Sequence, residues 1–144
     1  MIAALAEELG LAPTETAWHA ARDGIGEYAG LLSLLAGTCG KIGQDICLMA
    51  QQGIDEIALK GGGGSSAMPH KHNPVRAELL VTLARYAATQ VAGVHHVLVH
   101  EQERSGAAWA LEWMTLPGLA VAAARSLGLA ADVVGDIEEI GGGS

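Results

Sequence analysis

Phenylalanine is missing altogether from this chain, and three Trp and two Tyr are all it has in its place. A sheet core draws on aromatic and β-branched residues. Here 50% of the residues are hydrophobic, chiefly Ala, Leu, Val and Ile, a composition suited to closely packed helices. The expectation is an all-α fold in a chain of 144 residues, the length of one domain. Positive charge is also scarce: eight Lys and Arg stand against sixteen Asp and Glu, a net charge of −8. Such a field repels phosphate backbones and anionic membranes, so neither nucleic acid nor membrane is expected as a partner. The two cysteines, Cys39 and Cys47, fall within one helical pattern and form neither a disulfide framework nor a metal-binding spacing. Buried thiols in a reduced, cytoplasmic setting are the expectation. The opening "MIAALAEELG" carries glutamates where a signal peptide carries positive charge. The apolar runs are interrupted by Arg85, Glu112 and Arg125 before they reach spanning length, so no targeting or transmembrane segment is expected.

What is present is helical periodicity. Residues Ile2–Leu9 read as a short helix ended by Gly10, with Pro13 and Thr14 opening the next element. From about Glu15 to Gln52, Ile25, Tyr28, Leu31, Leu32, Leu35, Cys39, Ile42, Ile46 and Met49 recur at spacings of three and four. Six glycines between Gly24 and Gly43 weaken this helix on its own, which implies that close neighbours hold it. Asn73 as N-cap and Pro74 at the first helical position start a second long helix, running to about Gln102 with Leu79, Leu80, Leu83, Ala87, Val91, Val94 and Leu98 on its apolar face. A third pattern, Ala107–Ile140, is expected to break or kink at Pro117-Gly118. Long helices with faces this apolar suit a bundle and imply association with further copies or segments.

The most informative absence is local. Between Leu59 and Ala77 there is no Asp or Glu, whereas Lys60, His70, Lys71, His72 and Arg76 are all there. Basic residues gathered at a helix start favour an anion. The glycines of "GGGGSSAMPHKHNP" (Gly61–Pro74) are followed by no Gly-Lys-Ser/Thr and belong to no G-x-G-x-x-G, which excludes the common phosphate loops. They fit the hinge of a lid that closes Ser65 and Ser66 over a ligand, with Lys71 and the helix start at Asn73 stabilising a serine alkoxide. His70-x-His72 and the pair His96, His100 lack a carboxylate to complete a metal set, so no metal is expected. In "HEQERSGAAWALEW" (His100–Trp113) Arg104 has the planar fork to clamp a second carboxylate. Trp109 and Trp113, four apart, share a helix face where core packing is the default, and Trp18 and His19 read as packing at a helix start.

"GSSAMPHKHNP" (Gly64–Pro74) resembles the signature loop of the fumarase/aspartase superfamily, G-S-S-x-M-P-x-K-x-N-P, and agrees at every defining position. "HEQERSGAAWALEWMTLP" (His100–Pro117) and Trp18–Gln51 look most similar to the bacterial 3-carboxy-cis,cis-muconate cycloisomerase branch, with adenylosuccinate lyase a near relative. The resemblance covers nearly all of the chain and, within the family protein, the second part of the central bundle. It implies a partial domain over residues 1–144 with its signature loop at 61–74, and N-terminal and C-terminal family domains that this sequence lacks. In the family four subunits pool their central helices, and each active site draws on three of them. By resemblance Ser66 is the catalytic serine. Lys71 and Asn73 bind a substrate carboxylate and stabilise an enolate-like intermediate, with Ser65 and Met68 beside them. Glu78 orients a histidine from another segment, and Arg104 takes a second carboxylate. His72 departs from the Arg or Gln that relatives often carry.

The resemblance implies an enzyme without metal or organic cofactor, a cytoplasmic homotetramer acting on a small carboxylate substrate in aromatic degradation through protocatechuate. Two rivals stay open: a fumarate-releasing lyase similar to adenylosuccinate lyase, and a non-catalytic helical oligomerisation fragment.

Overall fold

The computed structural model describes residues 1–16, 18–60, 63–64, 72–102 and 104–141. Among the described residues four helices carry the fold: α1 (Ile2–Glu8), α2 (Asp23–Met49), α3 (Val75–His96) and α4 (Gly106–Gly135). Four short strands accompany them among the same residues, β1 (Ile57–Leu59), β2 (Gly63–Gly64), β3 (His72–Asn73) and β4 (Ile137–Ile140). The architecture is the all-α long-helix bundle that the composition implies, with two small antiparallel pairs, β1–β4 and β2–β3, that periodicity did not show.

Helices α2, α3 and α4 pack against one another in an up-down-up arrangement. Gly26 lies beside Leu98 and Gly43 beside Ala77, which sets α2 antiparallel to α3; Gly93 beside Thr115 and Gly118 beside Tyr86 do the same for α3 and α4. The core has two centres. One gathers Cys39, Ile46, Ala77, Leu80, Leu129, Ala130 and Val133. The other gathers Ala29, Ala36, Ala87, Val94, Val97 and Leu119. Much of the buried stripe of α2 is therefore made of small residues, Ala29, Ala36, Gly40 and Gly43. A Cβ at Gly43 would sit 2.5 Å from the Ala77 carbonyl oxygen, and one at Gly40 would sit 2.4 Å from the Ala84 Cβ. The glycines that weaken α2 in isolation let α3 approach it backbone to backbone.

Several boundaries differ from the periodic reading. Helix α2 begins at Asp23 rather than near Glu15. Before it the chain turns, with the Ala21 N–H donating to the Trp18 carbonyl and the Trp18 indole N–H donating to Thr16 Oγ1. Trp18 is 69% exposed, so this segment has no apolar stripe to bury and Trp18 does not serve as core packing. Helix α3 stops at His96, six residues early, because Val97 turns inward to complete burial and the Val97 and Leu98 N–H groups close tighter turns onto Val94 and His95. Asn73 is not its N-cap. Asn73 pairs with Gly63 in extended backbone, and Pro74 takes the cap position without a side-chain bond. Helix α4 runs unbroken through Pro117. The carbonyl deprived of its donor there belongs to Trp113, a residue 66% exposed and so open to hydration. The chain then leaves the helix at Asp136 and forms β4, so Ile137–Ile140 is strand rather than helix.

Candidate functional site

The chain on either side of the segment that the sequence singles out lies at the end of the bundle where α2 finishes, α3 starts and α4 finishes. After α2 the chain reverses through Gly53, at φ +89°, and Asp55, at φ +48°, whose carboxylate accepts the Gly53 N–H at 3.0 Å. It then enters β1, which pairs with β4 in the register Ile57 to Ile140, Ala58 to Glu139 and Leu59 to Ile137, with a bulge between Ala58 and Leu59. The Lys60 N–H continues the ladder by donating to the Asp136 carbonyl at 2.8 Å. On the far side of the signature segment, Gly63 and Gly64 pair with Asn73 and His72, and α3 follows at once.

Ser65, Ser66, Met68 and Lys71 lie outside the described residues, as does His70. Asn73 is partly buried in β3, and Glu78 is exposed on the first turn of α3. Glu78 lies close enough to Cys47 for its charge to act there. Burial first, and the Glu78 carboxylate second, push the Cys47 thiol above its ordinary 9.0. Burial likewise pushes up the Cys39 thiol. Both thiols are therefore held protonated at neutral pH and are poor nucleophiles.

Arg76 belongs to the basic stretch, yet its charge is engaged. Its guanidinium pairs through Nη2 with Asp132 at 2.9 Å and through Nη1 with Asp136, both near the end of α4. Sequence reasoning missed these two aspartates. They are four apart and lie on one helix face, but nothing in the sequence links them to a residue sixty positions earlier. The cations left for an anion are thus fewer than the sequence count suggested.

Arg104 lies at the opposite end. From Glu78 to His96, α3 runs eighteen residues, about 27 Å at a rise of about 1.5 Å each, and Arg104 comes after that. A single chain does not bring Arg104 together with Asn73 and Glu78. At its own end the Arg104 guanidinium stands 4.9 Å from the Trp109 ring centre, and Trp109 meets Trp113 edge to face at 6.0 Å. The stacking fixes the guanidinium without consuming its N–H donors. Trp109 and Trp113 are 38% and 66% exposed, so they form an outward platform rather than the core packing expected of them. Nearby, Arg22 Nε and Glu112 Oε2 approach to 2.8 Å in a largely buried charge contact that lacks hydrogen-bond alignment, tying the start of α2 to α4. Both ring nitrogens of His100 are buried without a partner among the described residues. No group of three His, Cys, Asp or Glu side chains gathers at metal-binding distance among the described residues.

Helix α4 is long and apolar enough to cross a membrane by length and composition. It nevertheless buries Leu119, Ala122, Ala123, Ser126, Leu129, Ala130 and Val133, as the core helix of a bundle does.

Comparison with known proteins agrees with this architecture. Residues 1–93 match the lyase family. A 3-carboxy-cis,cis-muconate cycloisomerase of Pseudomonas aeruginosa is 45% identical over 128 residues, which is 87% of this chain and 28% of that protein. A nitrosuccinate lyase of Streptomyces davaonensis is 39% identical over 81% of this chain and 25% of its own length. Among solved structures, the 3-carboxy-cis,cis-muconate lactonizing enzyme of Pseudomonas putida superposes with a TM-score of 0.85 at 37% identity, covering 96% of this chain and 32% of that one. The chain spans about a third or less of the length of these relatives. With its family match, its bundle of long helices and its signature segment set before α3, the chain belongs to the lyase family of the fumarase/aspartase superfamily.

Proposed function

We propose that this chain is the loop-bearing part of the central bundle of a 3-carboxy-cis,cis-muconate cycloisomerase-like enzyme. The observation that carries the reading is the unbroken agreement of Gly64–Pro74 with the superfamily signature, in a chain whose relatives include proteins named for that activity. In the proposed reaction one carboxylate of a tricarboxylic diene adds intramolecularly across a double bond, forming the C–O bond of a γ-lactone. The carbon next to another carboxylate takes up a proton. Ser66 handles that proton, Lys71 and Asn73 hold the carboxylate on which charge develops, and Ser65 and Met68 line the substrate. Glu78 orients a histidine from another segment. Positioned donors and one proton carrier suffice for this chemistry.

Arg104 enters the same site only from another subunit, since α3 separates it from Asn73 and Glu78 within one chain. The outward faces support that assembly. Tyr28, Leu31, Leu34 and Leu48 on α2, with Trp113, Met114, Val121, Leu127 and Val134 on α4, are large, apolar and exposed, more than a monomeric surface ordinarily carries. A cytoplasmic homotetramer is the proposed state.

The test is a direct assay of the purified chain on 3-carboxy-cis,cis-muconate, following loss of diene absorbance, with Ser66→Ala as control. Turnover abolished by that substitution supports the reading; turnover that survives it removes Ser66 from the mechanism. The nitrosuccinate lyase relative favours a second reading, elimination from a succinyl-type substrate. Fumarate release from adenylosuccinate, without lactone formation, would select that one.

A further inference from the structure

Asp136 is fastened to both sides of the signature segment. Its backbone carbonyl accepts the Lys60 N–H at 2.8 Å, on the entry side. Its carboxylate pairs with the Arg76 guanidinium on the exit side, where Asp132 at 2.9 Å holds the other arm of the fork. Asp136 is itself tied down, because it caps α4 and its N–H donates back to the carbonyls of Asp132 and Val133. One residue at the end of a thirty-residue helix thus fixes where the chain enters and where it leaves the segment carrying Ser66. The β1–β4 ladder and the Gly141 N–H donating to the Glu56 carbonyl at 2.8 Å extend the same attachment.

We infer that Asp136, through Arg76, is a positioning residue that sets the spacing of the two stems from which the Ser66 segment springs. The inference rests on the proposed function for its catalytic meaning and on geometry for its existence. The guanidinium and its partners are partly exposed: Arg76 48%, Asp132 53%, Asp136 28%. A pair of this kind adds little to global stability. Its effect is therefore local, and a local measurement detects it.

The experiment is amide hydrogen exchange on the intact chain and on Arg76→Gln, Arg76→Lys and the charge-swapped double variant Arg76→Asp with Asp136→Arg. In Arg76→Gln the Lys60 amide and the β2 and β3 amides exchange roughly fivefold faster, while the amides of α2 from Ala36 to Gly43 keep their wild-type protection. Arg76→Lys and the charge swap restore the stems. In the unsubstituted chain the stems also loosen between about 0.01 M and 1 M salt, as the screening length drops from about 30 Å to about 3 Å, and Arg76→Gln shows no such dependence. Stem protection unchanged in Arg76→Gln, or protection lost equally throughout the bundle, overturns the inference. Exchange requires no turnover, so a chain inactive for want of the other segments of the site leaves this result to stand or fall alone.

Discussion

The inside and the outside of α2 reverse the usual distribution of bulk. Its buried stripe is built mostly from Ala29, Ala36, Gly40 and Gly43, with Cys39 and Ile46 among them, whereas Tyr28, Leu31 and Leu34 stand exposed. Side chains are small where α3 is close and large where the chain itself supplies no cover. The inner seam gains from proximity of backbones, which gives dense dispersion contacts. The outer face gains only if something is added. One helix therefore serves two packing problems, and the two faces are expected to respond oppositely to the same kind of substitution.

The largest effect is expected on the inner seam. Gly43→Ala adds a single methyl that must displace the Ala77 carbonyl, and it lowers unfolding free energy by about 3 kcal/mol, the upper end for overpacking. Chemical denaturation reads this directly, and a loss under about 0.5 kcal/mol would show that the helices are not in backbone contact. Next comes the Arg22–Glu112 contact, which tests whether the polar end belongs to the interior. Arg22→Ala costs about 2 kcal/mol, less than a fully buried pair because 14% and 13% of the two side chains remain exposed. Replacing both by Met and Leu recovers most of that loss.

A smaller effect comes from the thiols. Cys39 and Cys47 have folded-state values above 9.0, so above about pH 9 the unfolded chain releases protons that the folded chain keeps, and stability falls as pH rises. Below pH 9 the contribution is fully present. Comparing denaturation midpoints at pH 8 and pH 10, the double variant Cys39→Ala with Cys47→Ala shows a shallower alkaline decline than the unsubstituted chain. Smallest for the single chain is Leu34→Ser on the outer face, within about 0.5 kcal/mol. Sedimentation should nonetheless show weakened self-association, and an unchanged sedimentation profile would separate this face from any subunit contact.

Which features were legible in the sequence follows from the range of the interactions that make them. Helix identity rests on neighbours three and four apart, and Leu80, Ala87, Val94, Cys39 and Ile46 were placed on apolar faces that the structure buries. Starts and stops rest on contacts far along the chain. Asn73 has the composition of an N-cap but is claimed by Gly63, and Val97 ends α3 by turning into a core formed with α2 and α4. Pro117 lacks a donor, but that loss falls beside an exposed residue and does not break the helix. For the site, the signature motif pointed to Ser66, Lys71 and Asn73, because those residues are adjacent in sequence. Asp132 and Asp136 acquire their role only through Arg76. Only the fold shows that Arg104 is distant from Glu78.

Because Asp136 grips both stems from the end of α4, the length of that helix acts as a ruler. Removing one residue anywhere between Gly106 and Gly135 would turn Asp136 by about 100° and draw it back about 1.5 Å, releasing Lys60 and Arg76 together. Substitutions on the exposed face of α4 carry no such penalty. For that attachment the exposed face of α4 is free to vary but the count of residues is not, and a gap in the helix would act on Lys60 and Arg76, far back along the chain.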